Sequence, residues 1–271
     1  MNTQRLLSHA ILLLLAIVTL VPLTSIFFAS LHAPGSLIVG LSIPTDPHWE
    51  NYAAAWNAGG FAPLIRTSLV IALSVVPLTL ILGTMAGYGL SMLRIPGRAA
   101  ILGLFIAGLT IPIELVIIPL YFDLRALGLT NALGPLILAE TSLFLPFSVF
   151  WMTTQFRSVP RELADAAKVD GAGQFRMLWS VALPLVRPGL VTLGLLIFLW
   201  SWKQFLLVLV LIQDPALRTA PAGLGFFVGE NTLDIPMLSA GTMIVILPVL
   251  VLYLVFQRKF ADGLLQGAVK G

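Results

Sequence analysis

Of 271 residues, 58% are hydrophobic and only 10% charged, and the mean hydropathy is +1.00. Soluble domains carry about 25% charged residues, and no core in a chain this short absorbs so much apolar surface, so lipid is the solvent for part of it. The net charge of +3, spread thinly among apolar stretches, excludes a nucleic-acid binder, and the absence of cysteine excludes disulfides, thiol catalysis and cysteine metal sites.

The first apolar stretch, 7–30, follows Arg5. It is longer than the roughly 7–15 residues of a signal-peptide core and no Ala-x-Ala site follows, so it reads as a retained membrane span. Residues 31–66 carry Pro34-Gly35, Pro44, Pro47 and Gly59-Gly60, the marks of an irregular loop, with a short amphipathic turn near Trp49 to Trp56. Five more stretches reach the roughly 20 residues that a crossing helix needs: 67–92, 99–122, 133–156, 188–211 and 238–256. The expected fold is therefore all-α: a polytopic bundle of six transmembrane helices forming a single domain over 1–271. Pro22, Pro77, Pro112, Pro119, Pro146 and Pro248 fall inside these stretches, where neighbouring groups re-satisfy the freed carbonyls.

The basic residues give the orientation. With the N-terminus inside, cytoplasmic segments hold Arg5; Arg94 and Arg98; Arg157, Arg161, Lys168, Arg176 and Arg187; and Arg258, Lys259 and Lys270. The outer segments hold only Arg66, Arg125 and Arg218, beside the acids Asp46, Glu50, Asp123, Asp214, Glu230 and Asp234. Both termini are therefore expected in the cytoplasm.

Between the fourth and fifth stretches lies the longest polar block, 157–187. Pro160 suits the first turn of a helix, where its missing N–H goes unused. Glu162 and Asp165 sit near the positive helix end, and Arg161–Asp165 and Asp165–Lys168 have surface-pair spacings. Asp170-Gly171 provides a stop, with Gly171 free to turn left-handed. A second short helix about 174–181 carries Phe175, Leu178 and Trp179 and is expected to end at Pro184. Physical reasoning alone leaves two readings open: a docking surface for a soluble partner, or a solvated connection with interfacial helices.

The residues of this block resemble the EAA loop of ABC-importer permeases. That pattern is Glu-Ala-Ala, three residues, Gly, nine residues, Ile, one residue, Leu-Pro. Here it reads Asp165-Ala166-Ala167, Gly171, then Val181-Ala182-Leu183-Pro184, with every spacing kept and with Asp for Glu and Val for Ile. The second stretch and the turn Arg94-Ile95-Pro96-Gly97-Arg98, then Ile118-Pro119-Leu120-Tyr121 with Leu127-Gly128-Leu129, resemble the carbohydrate-type subfamily. Gly267-Ala268-Val269-Lys270-Gly271 resembles the ending of the maltose-type inner permease subunit.

The resemblance implies the transmembrane domain of a type I ABC importer, in a bacterial or archaeal inner membrane. Its coupling helix, with Glu162, Asp165, Ala166, Ala167, Gly171, Leu183 and Pro184, would meet a dimer of cytoplasmic ATPase subunits. A second, homologous permease subunit and an extracytoplasmic solute-binding protein would complete the assembly, and the solute would be a sugar or a related polar molecule. ATP and Mg would be bound by the partner ATPase and no cofactor by this chain, which has no Gly-x-x-x-x-Gly-Lys loop.

Candidates for the translocation path are Glu114, Glu140, Trp200, Lys203 and Gln204. Intramembrane charges normally face the bundle interior and find partners, so Lys203 is expected to pair with Glu140 or Glu114, beside the path or as a packing contact. The family commonly has Trp-Asn-Asp or Trp-Asn-Glu where this sequence has Trp202-Lys203-Gln204, which puts the usual contacts there in doubt. Trp151, Trp179, Trp200, Trp202 and Tyr253 read as interface anchors rather than sugar platforms. His9, His32 and His48 have no metal-ligand spacing. The competing readings are a solitary secondary transporter or channel, against which the lack of an internal repeat counts, and an intramembrane enzyme, for which no catalytic motif stands in the sequence.

Overall fold

The computed structural model describes residues 3–228 and 233–268, with side chains over 7–228 and 233–258. Glu230 and the Val269-Lys270-Gly271 end of the C-terminal signature lie outside the described residues, as do the side chains of Arg5 and Lys259. Regular structure in the described residues is helical: no strand forms, and one isolated antiparallel bridge joins Val228 and Leu233.

The helices are, in order, α1 (Thr3–Ala29), α2 (Glu50–Ala58), α3 (Phe61–Met92), α4 (Arg98–Gly108), α5 (Ile113–Ala126), α6 (Leu133–Arg157) and α7 (Arg161–Val169). Then come α8 (Gln174–Arg176), α9 (Leu183–Trp202), α10 (Leu206–Leu211), α11 (Ala220–Gly223) and α12 (Ile235–Ala268). A π turn, Met177–Ala182, joins α8 to α9 in one continuous run, Gln174–Trp202. Five helices are long and apolar enough to cross a membrane, or six with α4 and α5 taken as one broken span. These lengths belong to a multi-pass membrane protein.

The chain divides into two compact units, 1–65 with 219–251 and 66–218 with 252–271. In the first, the expected turn near Trp49 is α2. Asn51, 1% exposed, ties it to the end of α1 by donating from Nδ2 to the Ser30 and His32 carbonyls. Its core gathers Ala55, Phe61, Leu64, Ala220, Phe227, Ala240 and Val245, with the Phe61 and Phe227 rings stacked at 6.2 Å. No residue in the most apolar part of α1 is buried within the chain, as suits a helix solvated by lipid.

In the second unit α3 packs on α6 through two small residues one turn apart. A Cβ on Gly83 would stand 2.7 Å from Ser148 Cβ, and one on Gly87 would stand 2.6 Å from Met152 Cβ and 2.8 Å from the Thr153 nitrogen. Gly-x-x-x-Gly spacing lets membrane helices approach this closely, which supplies the dispersion contacts that lipid cannot. α6 in turn holds α9: Trp151 Nε1 donates to the Gly189 carbonyl at 2.9 Å.

Three sequence expectations give way here. The third stretch is not one helix: α4 and α5 meet at a 93° bend over the four residues between them. Pro112, extended at ψ 139°, caps α5 instead of continuing α4, because a proline pushes its predecessor, Ile111, out of helical backbone. The other five prolines of that group do sit inside helices.

The fifth stretch starts earlier and stops sooner than 188–211. The run begins at Gln174 and ends at Trp202, and a break at Lys203-Gln204-Phe205 separates it from α10. Nor does Pro184 end the second loop helix. It stands in the first turn of α9, directly after the π turn. A π turn moves hydrogen bonds to i→i+5 partners, so the N–H that proline lacks is not needed there.

Candidate functional site: a surface loop and a broken membrane helix

The polar block 157–187 folds as helix, glycine turn, helix. Pro160 takes the N-cap position of α7, one residue earlier than a first-turn place. Asp170 N–H bonds the Ala166 carbonyl, Gly171 N–H bonds Lys168 and Ala172 N–H bonds Ala167, and Gly171 adopts φ +76°. Left-handed closure of this kind satisfies the last carbonyls of a helix.

Within α7 only Ala164 is buried. Glu162, Asp165 and Ala166 are exposed, Ala167 is half-buried, and Leu163 and Val169 stand in solvent. α7 packs on the π turn, where Leu178 and Ala182 are buried, while Leu183 just beyond is half-buried and Pro184 exposed. Of the two expected pairs on α7, Lys168–Asp165 forms, at 2.9 Å, and Arg161–Asp165 does not. The Lys168 hydrogen bond, then its charge and those of Arg161 and Arg94, hold the Asp165 carboxyl below the usual aspartate range.

Tyr88, near the end of α3, anchors this loop. Its hydroxyl donates to the Gln174 side-chain oxygen at 3.0 Å and its ring meets Phe156 edge-on at 5.6 Å. The end of α3, the end of α6 and the start of the second loop helix are thus held at one point.

The intramembrane candidates are arranged differently from expectation. Glu140 is fully buried on α6, and its Oε2 accepts from Ser201 Oγ on α9 at 2.5 Å, while Oε1 has no partner among the described residues. Lys203 is exposed at the C-terminal end of α9 and caps it, its N–H bonding the Leu199 carbonyl while the Gln204 N–H bonds that of Ser201. A cation there is favoured by the helix dipole. Glu114 is exposed in the first turn of α5, where the dipole favours an anion.

The ion pairs of the described residues are His48–Glu50 and Lys168–Asp165. Neither expected pairing of Lys203 is present, because each charge has settled at a helix end or on a hydroxyl. Trp200 packs against Phe147 at 4.9 Å and Phe144 at 5.8 Å, and Gln204 sits in the break with its side-chain oxygen toward the Leu207 N–H. No group of three or more His, Asp or Glu able to hold a metal occurs among the described residues.

Sequence reasoning also missed Asn131. It is the one non-glycine residue with positive φ, 58°, among the described residues. Its N–H bonds the Leu211 carbonyl and its Oδ1 accepts from the Gln213 and Asp214 N–H groups. The signal was there in Thr130-Asn131 after Leu127-Gly128-Leu129, since asparagine is the side chain that best tolerates left-handed backbone.

The chain is thus a multi-pass helical membrane protein with an exposed polar elbow, 157–187, between two of its membrane-length helices. Residues 79–260 match the family model described as the binding-protein-dependent transport system inner membrane component. The chain belongs to this family, and is a transport subunit and not an enzyme.

Among curated proteins it is 35% identical over 266 residues to the permease protein of a diacetylchitobiose uptake system of Streptomyces coelicolor, covering 97% of this chain and 88% of the relative. It is 36% identical to a sulfoquinovosyl glycerol transport system permease protein of Agrobacterium fabrum, with 93% and 89% covered. A trehalose transport system permease protein of Mycobacterium tuberculosis is 33% identical, with 93% of each covered. The fold matches that of a bacterial ABC transporter involved in the import of the acidic polysaccharide alginate, with TM-score 0.80 and 21% identity over 94% of this chain and 95% of that one.

Proposed function

We propose that this chain is one of two homologous permease subunits of an ATP-driven sugar importer, working with a dimer of cytoplasmic ATPase subunits and an extracytoplasmic solute-binding protein in a bacterial inner membrane. Both termini lie in the cytoplasm, and six spans, the α4–α5 pair counted as one, cross the membrane. The single observation that carries the reading is the elbow 157–187: EAA-type spacing that starts on a helix of which only Ala164 is buried. A solvated connection needs no such constant geometry, whereas a partner's cleft does.

The relatives above take diacetylchitobiose, sulfoquinovosyl glycerol and trehalose, by their names. Their shared chemistry, a glycoside with many hydroxyls, is the solute class proposed here. ATP and Mg belong to the ATPase; its closure pushes the two elbows together and stabilises the outward-facing state over the inward-facing one. Glu114, Glu140, Trp200, Lys203 and Gln204 are proposed beside the path, with the α9 break providing irregular backbone of the kind found where a helix lines a cavity.

The test is a disulfide trap. Ala166→Cys, on a chain with no native cysteine, is oxidised in membranes against single cysteines on the co-purified ATPase. A cross-link that forms in one nucleotide state and weakens in the other is the expected result. Position 166 reacting with no ATPase cysteine, while solute uptake persists, would remove the coupling role from this loop.

A further inference from the structure

The loop between α1 and α2 is closed at its base. The His48 N–H bonds the Leu31 carbonyl at 2.9 Å. The His32 ring donates from Nδ1 to the Phe28 carbonyl at 2.9 Å and meets Ser42 Oγ through Nε2 at 3.1 Å. The tip is folded back along α1: Gly40, bent at φ +69°, accepts from Ser25 Oγ at 3.1 Å, one helical turn short of the end of α1 at Ala29. A loop held at base and tip is no loose tether, yet the side chains it presents are aliphatic. Leu37 is 90% exposed, Val39 92%, Ile43 68% and Leu41 53%. No Asp, Glu, Lys or Arg occurs between positions 33 and 45. An apolar surface of this kind marks contact with a membrane or another protein.

Two independent observations choose the membrane. The tip lies along α1, in whose most apolar part no residue is buried within the chain, so the loop continues a surface already solvated by lipid. Its depth is marked by aromatic rings. Phe27 stands 6.2 Å from Trp49, which is 60% exposed and stacks on Tyr52 at 6.4 Å. Trp and Tyr gather at the boundary between hydrocarbon and water, and Gly40 is bonded deeper along α1 than Phe27. The loop backbone therefore lies at this boundary, where head groups and water still reach its N–H and C=O groups; Pro34 and Pro44 have no N–H to satisfy. The aliphatic side chains stand where the acyl chains begin.

We propose that loop 31–48 is an interfacial wedge, with Leu37, Val39, Leu41 and Ile43 inserted among the upper acyl chains of the outer leaflet beside α1. The occupant of this apolar row is bilayer lipid. The proposal rests on the importer reading only for the choice of leaflet. Burying apolar side chains at the boundary holds such segments in the interface plane. Because Asn51 ties α2 to the end of α1, the wedge fixes the depth of both.

The test uses spin labels on single cysteines, in a chain that has none of its own, reconstituted in phospholipid nanodiscs with the subunits that accompany it. Oxygen concentrates among acyl chains and a nickel chelate stays in water. Labels at Val39→Cys and Leu41→Cys should be relaxed more by oxygen than by the chelate, and a label at Thr45→Cys, near the base, more by the chelate. Chelate above oxygen at both 39 and 41 would place the row in water and overturn the proposal. Shielding of both labels from both reagents would mean that a protein covers the row, and overturns it equally. A membrane-impermeant maleimide applied to intact cells carrying Thr45→Cys fixes the side. Labelling from outside supports the outer leaflet. Protection in intact cells, with labelling once the membrane is opened, would overturn that assignment and the proposed topology together, while the oxygen reading still reports whether the row meets lipid.

Discussion

Asn131 and Glu140 show how single polar side chains hold this membrane protein together. Asn131 does two jobs, adopting backbone that most residues avoid and accepting two N–H bonds from the segment after α10. Asn131→Gly keeps the first job and loses the second, whereas Asn131→Ala loses both. We expect Asn131→Gly to cost about 1–3 kcal/mol, the worth of two ordinary hydrogen bonds, and Asn131→Ala to cost more by the strain of φ 58°. Thermal unfolding in detergent, with the two variants side by side, reads that order. Glu140 supplies the parallel case in the bundle. Ser201→Ala leaves both oxygens of a fully buried carboxyl without a partner, an outcome that typically costs about 1–3 kcal/mol or more. Glu140→Gln keeps a group able to meet the Ser201 hydroxyl and should be the milder change. A Ser201→Ala protein as stable as the wild type would show that the contact adds nothing. On α7, Asp165 titrates below the ordinary aspartate range because Lys168 bonds its charged form. A depressed carboxyl contributes stability above its unfolded-state value and loses it as pH falls through the folded one. The α7 surface should therefore be unchanged from neutral pH down to the ordinary aspartate range. Lys168→Met should raise the Asp165 titration toward that range in a carboxyl-¹³C NMR titration.

At the scale of elements, close approach of α3 and α6 rests on Gly83 and Gly87. Gly87→Leu forces a Cβ to within 2.6 Å of Met152 Cβ and 2.8 Å of a backbone nitrogen. Neither belongs to a flexible side-chain end, so the helices must separate. Overpacking of this kind costs about 1–3 kcal/mol, occasionally more, and a lowered midpoint in detergent unfolding should follow. Gly103→Leu, where a Cβ meets nothing within 4 Å, is the matched control. This glycine pair was legible in Gly83-Thr84-Met85-Ala86-Gly87, yet hydropathy alone passes over it, because small residues barely alter the mean of a window. The long helices, their number and the elbow with its left-handed Gly171 could all be read from apolar length, Pro and Gly placement and charge. The 93° bend could not, because a proline inside an apolar stretch is compatible with both a continuous and a broken helix, and the break at Lys203 could not, because neither Gly nor Pro marks it. Pro112 breaks one where Pro77 and Pro146 do not. The π turn before Pro184 was equally hidden, since no residue pattern in Met177–Ala182 distinguishes five-residue from four-residue hydrogen bonding.

For the molecule as a transporter, the sharpest question is whether the elbow transmits force or merely connects two spans. Gly171 separates these alternatives because its surroundings are empty. A Cβ added there meets no atom within 4 Å, while φ +76° is backbone that only glycine, and to a lesser degree asparagine, adopts readily. Substitution therefore changes the angle between α7 and the second loop helix without disturbing packing. Gly171→Asn should keep the angle and most of the solute uptake. Gly171→Ala should lose part, and Gly171→Val, with its β-branch, should lose nearly all, although all three should insert into the membrane to wild-type levels. If the elbow only connects, uptake should be equal in the three variants once normalised to the amount inserted. If it couples, uptake and solute-stimulated ATP hydrolysis should fall together along the series Asn, Ala, Val, while solute-free ATP hydrolysis by the partner subunits changes little. That divergence between stimulated and basal hydrolysis is what a lost mechanical link produces and a simple loss of folded protein does not, since unfolding the permease would release the ATPase and lower both.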